Sequence, residues 1–246
     1  MNKKSGIWAA LLAAGSVASG TAQADGAPAG KYFAEGLVGA SFADFNDFNF
    51  HNPVGTGFTT SPVSGDRIIL DNVDDSDTSV GADAALGIQI NKMLALKANY
   101  HYFGDVEASG DAQFGGPVRQ DIGVEAHGLT AGLVLSWDLT PQIFVELQGE
   151  LGMGFMSAEG QQGANLGAPS DFPDGDDTNF IAGFGGGLGY RLAPNMELLV
   201  RASYYDLGES ETDTTGLPPP AGMNENERLE SDLATVTVGA GLRFLF

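Results

Sequence analysis

The chain contains no cysteine among its 246 residues, so disulfides cannot stabilise it and no thiolate is available as a nucleophile or metal ligand. Basic residues are also scarce, with 11 lysines and arginines against 32 acidic residues and a formal net charge of −21. This balance argues against nucleic acids and anionic membrane surfaces as electrostatic partners. No stretch approaches the ~18 consecutive apolar residues of a transmembrane helix.

The first 24 residues have the features of an export signal. Lys3 and Lys4 make a basic start, residues 7–17 are mostly apolar, and 22–24 form a small-x-small cleavage site. The apolar part is too short to span a bilayer as a helix, which disfavours the alternative of a retained anchor. We therefore predict a cleaved signal peptide over 1–24 and a mature domain over 25–246.

The barrel prediction starts from the final stretch, 234–246. Its even positions, from Ala234 to Phe246, are apolar, and its odd positions are mostly small or polar. Alternation with a period of two predicts a strand with one apolar face. Seven other segments alternate similarly: 31–42, 79–91, 94–103, 123–137, 142–156, 178–192 and 196–208.

The connections between these segments alternate in length. Short turns are predicted at 91–93, 138–141 and 193–195. Long acidic loops are predicted at 43–78, 106–121, 157–177 and 209–230. This asymmetry is typical of outer-membrane barrels with periplasmic short turns, and an even number of strands places both mature termini in the periplasm.

The outward aromatic residues are predicted to form two belts. One belt lies at the short-turn end: Tyr32, Trp137, Tyr190, Phe244 and Phe246. The other lies at the long-loop end: Phe42, Tyr102, Phe155, Phe180 and Tyr204. Belts of this kind mark the two interfaces of a membrane. The predicted fold is therefore all-β, an eight-stranded antiparallel up-and-down transmembrane β-barrel, with a soluble β-sandwich as the alternative.

The opposite face of the strands carries the charges. We predict an interior ion-pair network of ten residues: Glu35, Asp83, Lys97, His101, Glu146, Glu150, Arg191, Glu197, Arg201 and Arg243. An eight-stranded barrel is only wide enough for its own side chains, which favours a filled interior. A gate of exchanging ion pairs is the alternative. Inward glycines such as Gly183 and Gly189 leave room for a local water-filled cavity.

Catalytic and metal-binding signals are weak. His51, His101 and His127 are the only histidines, and Ser109 and Ser136 form no local motif with His127. The acidic stretches 71–77 and 174–177 offer oxygen ligands but lack the spacing of a calcium loop. We predict no enzymatic activity, no cofactor and no metal, with a solvated acidic surface on the loops.

Three segments, 94–105, 198–208 and 238–246, resemble the OmpA-like or opacity-type "porin family" of outer-membrane β-barrels in Gram-negative bacteria. The resemblance implies an interior ion-pair network, for which Lys97, Glu146, Glu150, Arg201 and Arg243 are the matching residue types. It also implies that the barrel-assembly machinery reads the last strand, where the matching residues are Leu242, Phe244 and Phe246. The first loop is unusually long and acidic, so no adhesin specificity carries over.

We therefore predict an outer-membrane protein with a structural or surface role and acidic extracellular loops. The expected partners are outer-membrane lipid, lipopolysaccharide and the barrel-assembly machinery, and the chain is expected to be monomeric. One alternative is a narrow gated pore for small solutes or ions. A second is a hydrolase of outer-leaflet lipid that acts at the rim of the barrel.

Overall fold

The structure, a computed structural model, describes residues 31–51, 63–64, 67–113, 117–163, 170–213 and 228–246. The predicted signal peptide lies outside these residues. The strands are β1 (Tyr32–His51), β2 (Val63–Ser64), β3 (Arg67–Ile69), β4 (Asp71–Asp74), β5 (Ser76–Gln89), β6 (Leu94–Gln113), β7 (Pro117–Asp138), β8 (Ile143–Gln162), β9 (Ser170–Ala193), β10 (Met196–Glu211) and β11 (Arg228–Leu245). In the described ranges there is no helix long and apolar enough to cross a membrane.

Eight strands form a closed antiparallel ring. Each pairs with its neighbour in the order β1, β5, β6, β7, β8, β9, β10 and β11, and β11 pairs back with β1. The closing register runs from Phe33 opposite Leu245 to His51 opposite Arg228. The predicted eight-stranded barrel is confirmed. The short strands β2, β3 and β4 extend the sheet from β1 and β6.

The half of the barrel next to the short turns presents an apolar outer face. Leu86, Leu133, Leu151, Leu188 and Val200 are among its exposed aliphatic side chains. The residues of the two aromatic belts also point outward from the wall, above and below this aliphatic band. In water such a surface would be costly, whereas it matches the hydrocarbon of a bilayer.

The other half of the barrel reverses this arrangement. Bulges interrupt the strand register between Tyr102 and Gly104 on β6 and between Asp206 and Gly208 on β10. Gly104 has φ +94° and Gly208 has φ +78°, conformations that glycine adopts without strain. Beyond these bulges, β6 and β10 turn the opposite set of side chains inward. On β7 and β8 the even positions stay inward along the whole strand, but at this level they hold apolar residues such as Val124 and Met156. In this half of the barrel the inner face is therefore apolar and the outer face acidic.

The long loops were predicted wrongly in extent. β6 reaches Gln113 and β7 begins at Pro117, so most of 106–121 is strand, and most of the acidic part of 157–177 likewise lies in β8 and β9. The cause is that the apolar residues change face: on β6 the bulge switches the parity of the inward positions, whereas on β7 and β8 the parity stays and the apolar residues move from outward to inward positions. Neither stretch therefore reads as a continuation of the lipid-facing pattern. Many of the acidic residues therefore lie on a wall of strands that projects beyond the aromatic belt.

The three short turns lie where the sequence predicts them. The Oδ1 atom of Asn91 accepts hydrogen bonds from the backbone amides of Met93 and Leu94, at 2.8 and 3.0 Å. In the next turn, the hydroxyl of Thr140 accepts from the amide of Ile143 at 2.9 Å. These side chains satisfy backbone donors that the strands leave open.

Candidate functional site

The candidate site is the charged interior of the barrel. Strand register alone places three of its residues side by side, because Arg243 on β11 lies opposite Glu35 on β1 and opposite Glu197 on β10. All three point inward and are buried. The closure of the ring therefore brings together charges that are far apart in the sequence.

Glu35 is the centre of the lower part of this network. Its Oε1 atom lies 2.8 Å from Nη1 of Arg201 and 3.3 Å from Nζ of Lys97. Its Oε2 atom accepts from Nη2 of Arg243 at 2.8 Å. One carboxylate from β1 thus contacts cations from β6, β10 and β11.

A second carboxylate, Glu146 on β8, shares two of these cations. It accepts from Nη2 of Arg201 at 2.5 Å and from Nη2 of Arg243 at 2.9 Å. Nη1 of Arg243 also donates to Glu197 at 3.2 Å. Each guanidinium therefore links carboxylates that come from different strands, and its planar fork of N–H donors fixes the distance between those carboxylates.

The upper part of the network surrounds Glu150 on β8. Its Oε2 atom accepts from Asn99, Thr130 and His101 at 2.9, 2.8 and 2.9 Å. Its Oε1 atom lies 3.0 Å from Nζ of Lys97, which joins this part to Glu35. The lysine also donates to the side chain of Gln148 at 2.8 Å.

The structure brings together nine of the ten predicted interior residues. Asp83 is the outermost of them and pairs with Nδ1 of His101 at 2.7 Å. Arg191 differs, because its side chain is 36% exposed at the short-turn rim. There it lies 2.6 Å from Asp138 and 3.6 Å from Glu197, so it contacts the network only at its edge.

Apolar side chains close both ends of the charged region. The upper apolar cluster fills the barrel beyond the bulges and contains, among others, Phe45, Phe50, Phe103, Val106, Ile122, Val124, Met156, Ile181, Tyr205 and Leu229. Toward the short turns, Phe33, Ala95 and Val134 form a smaller group. A further group, Leu37, Phe144 and Leu199, packs beside the arginines.

The predicted water-filled cavity beside the inward glycines was wrong. A Cβ atom at Gly183 would overlap the ring of Tyr205, and one at Gly189 would overlap the ring of Phe144. The missing side chains therefore make room for aromatic rings from neighbouring strands. Sequence reasoning missed these rings, although the adjacent pairs Ile143–Phe144 and Tyr204–Tyr205 already place one bulky residue on each face.

A concavity of about 1360 Å³ lies at the membrane level of the barrel. Most of its lining consists of outward side chains such as Leu86, Leu133, Leu151 and Phe184. It therefore belongs to the apolar outer wall, where hydrocarbon chains would fill it.

The histidines do not form a nucleophilic site in the described residues. His127 lies on the outer wall, where Nδ1 is 2.6 Å from the Tyr100 hydroxyl and Nε2 is 3.2 Å from Glu125. The ring of His101 contacts Asp83, Glu150 and Thr130. Neither ring is hydrogen-bonded to a serine in this part of the chain.

Among the described residues beyond the bulges, Glu209, Glu211 and Glu230 form a compact set of carboxylates whose oxygens lie within 4.8 Å of one another. Arg228 lies 2.8 Å from Glu211 and 3.6 Å from Glu230, so a guanidinium already neutralises part of this charge. Burial raises the pKa of the Glu211 carboxyl, and neighbouring carboxylates, including Asp177, raise that pKa further. Arg228 acts in the opposite direction.

The fold and its interior define a class, the outer-membrane β-barrels. The chain belongs to the outer membrane protein beta-barrel domain family, whose model matches residues 9–244. Membership places the protein in the outer membrane of Gram-negative bacteria. No curated protein sequence matches the chain.

Several solved structures are similar to this one. Neisserial surface protein A is 14% identical, with 87% of this chain and 97% of that chain covered and a TM-score of 0.46. OprG from Pseudomonas aeruginosa is 15% identical, with 89% and 98% covered and a TM-score of 0.48. The protease OmpT from Escherichia coli is 9% identical, with 92% and 100% covered and a TM-score of 0.49. At these identities, function has to be argued from this chain's own residues.

Proposed function

We propose that the protein is a monomeric, sealed outer-membrane barrel with a structural role, which presents a rigid acidic wall at the cell surface. The observation that carries this proposal is the filled interior. A solute moving along the barrel axis would meet the smaller apolar group, then the charged network, then the upper apolar cluster. Buried charges that are paired on several sides cost several kcal/mol to separate, roughly, so the network resists opening.

The orientation and partners follow from the same arrangement. The short turns and both mature termini face the periplasm, and the acidic wall faces outward. The apolar band contacts outer-membrane lipid, and the wall stands among the headgroups of lipopolysaccharide. The barrel-assembly machinery inserts the chain by reading Leu242, Phe244 and Phe246 in its last strand.

The protein is not an enzyme in this proposal. The rings of His101 and His127 are engaged by carboxylates and by the hydroxyls of Thr130 and Tyr100. A hydrolase would need a nucleophile held by one of these bases. Release of fatty acid from outer-membrane lipid vesicles by the wild type, lost in His127→Gln, would contradict this part of the proposal.

Planar-bilayer recording tests the sealed interior. The refolded protein is expected to give no reproducible single-channel steps. Arg201→Ala removes a cation that Glu35 and Glu146 share, so it is the variant in which conductance is most expected. Asp138→Asn at the exposed rim is the matched control. Wild-type steps that change in size with Glu146→Ala or Arg201→Ala would instead establish the narrow gated pore.

A further inference from the structure

His101 lies between two carboxylates from different strands. Its Nδ1 atom is 2.7 Å from Oδ1 of Asp83 on β5, and its Nε2 atom is 2.9 Å from Oε2 of Glu150 on β8. The histidine is 1% exposed. A neutral imidazole has one N–H, so one of its nitrogens would present a lone pair to a carboxylate oxygen.

The remaining neighbour does not resolve this conflict. Thr130 on β7 lies 3.0 Å from Nε2, but its hydroxyl donates its single hydrogen to Glu150 at 2.8 Å. The same hydroxyl oxygen accepts from Asn99 at 3.1 Å. The three polar atoms within hydrogen-bond distance of the ring, on Asp83, Glu150 and Thr130, are therefore all acceptors, and both ring nitrogens are required as donors.

The charges of the interior support the same conclusion. The network holds five carboxylates, Glu35, Asp83, Glu146, Glu150 and Glu197, against the three cations Lys97, Arg201 and Arg243. Arg191 reaches Glu197 only from the exposed rim. The carboxylates therefore outnumber the interior cations, and a protonated His101 supplies a further positive charge. Buried ions are tolerated when they are paired, so this added charge is favourable.

We propose that His101 is held as an imidazolium and that this proton is a pH-sensitive latch on the sealed barrel. The ring joins β5 to β8 directly beneath the upper apolar cluster, where it packs against Phe103 and Tyr205 with centroid separations of 5.5 and 4.8 Å. The latch deepens the proposed function and rests on it, because it regulates the same seal.

The titratable and charged groups around the ring come from several strands. β5 contributes Asp83, β8 contributes Glu150 and β10 contributes the Tyr205 phenol. On its own strand, β6, Lys97 reaches Glu150 but not the ring. Loss of the proton leaves one carboxylate facing a lone pair and removes a positive charge from an interior in which carboxylates already outnumber lysine and arginine side chains.

The sign of the pH dependence follows from this state. An unfolded chain releases a histidine proton near pH ~6.5, whereas the folded barrel retains it. The stabilisation by the latch is therefore complete at acidic pH and is lost as the pH rises on the alkaline side of neutrality.

Nitrogen NMR of the barrel in micelles, labelled with ¹⁵N-histidine, reports the proton directly. At pH ~8 a free imidazole is about 97% neutral. His101 is expected to show two protonated ring nitrogens at that pH, its signals being assigned by elimination with His51→Gln and His127→Gln. A single unprotonated ring nitrogen on His101 would contradict the proposed latch. This measurement leaves the interior network intact, so it does not depend on whether a network variant folds.

Thermal unfolding at several pH values tests the consequence. His101→Gln is expected to lower the unfolding midpoint by about 2–4 °C at pH ~6 and to lose most of that difference at alkaline pH. His127→Gln, on the outer wall, is expected to keep the wild-type pH profile. Identical profiles for the wild type and His101→Gln would contradict the latch. If the barrel conducted at every pH while His101 stayed doubly protonated, the sealed interior would be refuted and the protonation of His101 would still stand.

Discussion

Glu35 and Arg243 are register partners on the first and last barrel strands, and their side chains meet inside with Oε2 and Nη2 2.8 Å apart. The bond therefore spans the junction that closes the ring. The same glutamate also contacts Lys97 and Arg201.

Replacing Glu35 with glutamine leaves three buried cations with one fewer carboxylate. Breaking a buried ion pair on one side typically costs about 3–5 kcal/mol, so Glu35→Gln should lower the free energy of unfolding by that order. Heat-modifiable gel mobility and urea unfolding in lipid vesicles would measure it. Asp138→Asn removes an exposed pair with Arg191 and should cost less than about 1 kcal/mol. Equal effects of the two variants would refute a stabilising role for the network.

Two glycines in the same sheet provide a matched test of how the interior is filled. Alanine at Gly189 would push its methyl group into the ring of Phe144, whereas a Cβ atom at Gly149 meets nothing within 4 Å. Gly189→Ala should destabilise the barrel by about 1–3 kcal/mol. Gly149→Ala should change stability by no more than about 0.5 kcal/mol. A tolerated Gly189→Ala would imply that the rings move freely.

Phe246 closes the barrel through its backbone. Its amide donates to the carbonyl of Tyr32 at 2.9 Å, and its carbonyl accepts from the amide of Tyr32 at 3.1 Å. Deletion of Phe246 removes both bonds, whereas Phe246→Ala keeps them and removes only the ring. If the assembly machinery reads the aromatic side chain, both variants should reduce the heat-modifiable fraction in outer membranes several-fold. Phe184→Ala, which removes another lipid-facing ring, is the control. An effect of the deletion alone would indicate strand closure without side-chain recognition.

Glu211 should make the outer wall more stable in mild acid. The pKa of its carboxyl is raised, chiefly by burial and further by nearby carboxylates, so the folded protein binds this proton more tightly than the unfolded chain. Its ionised form therefore costs stability above the folded pKa, and that cost disappears as the pH falls through it. Glu211→Gln should raise the unfolding midpoint slightly at neutral pH and remove the acid stabilisation. A lower midpoint in the variant at neutral pH would show that the Arg228 pair outweighs the repulsion.

The sequence predicts the membrane part of the barrel well because one residue in two meets lipid there. An apolar outer face against an inner face of charges and glycines gives each strand a period of two, and each tight turn has its own Asn, Asp or Pro. The parity of Glu35, Lys97, Glu146, Arg201 and Arg243 likewise assigns them to the interior, because each lies on the face opposite the apolar one.

What the sequence could not provide is which charges meet, and how the barrel continues beyond the membrane. Partners such as Glu35 and Arg201 are set by strand stagger and ring closure, which no local pattern encodes. Beyond the membrane the apolar residues face inward, through the bulges at Gly104 and Gly208 on β6 and β10 and through a change of residue type on β7 and β8. The acidic stretches there therefore look like loops although much of them is strand. The sequence by itself thus determined an alternating, lipid-facing barrel. Only the tertiary structure decided how the interior is filled, because rings from one strand occupy the space left by glycines on the next.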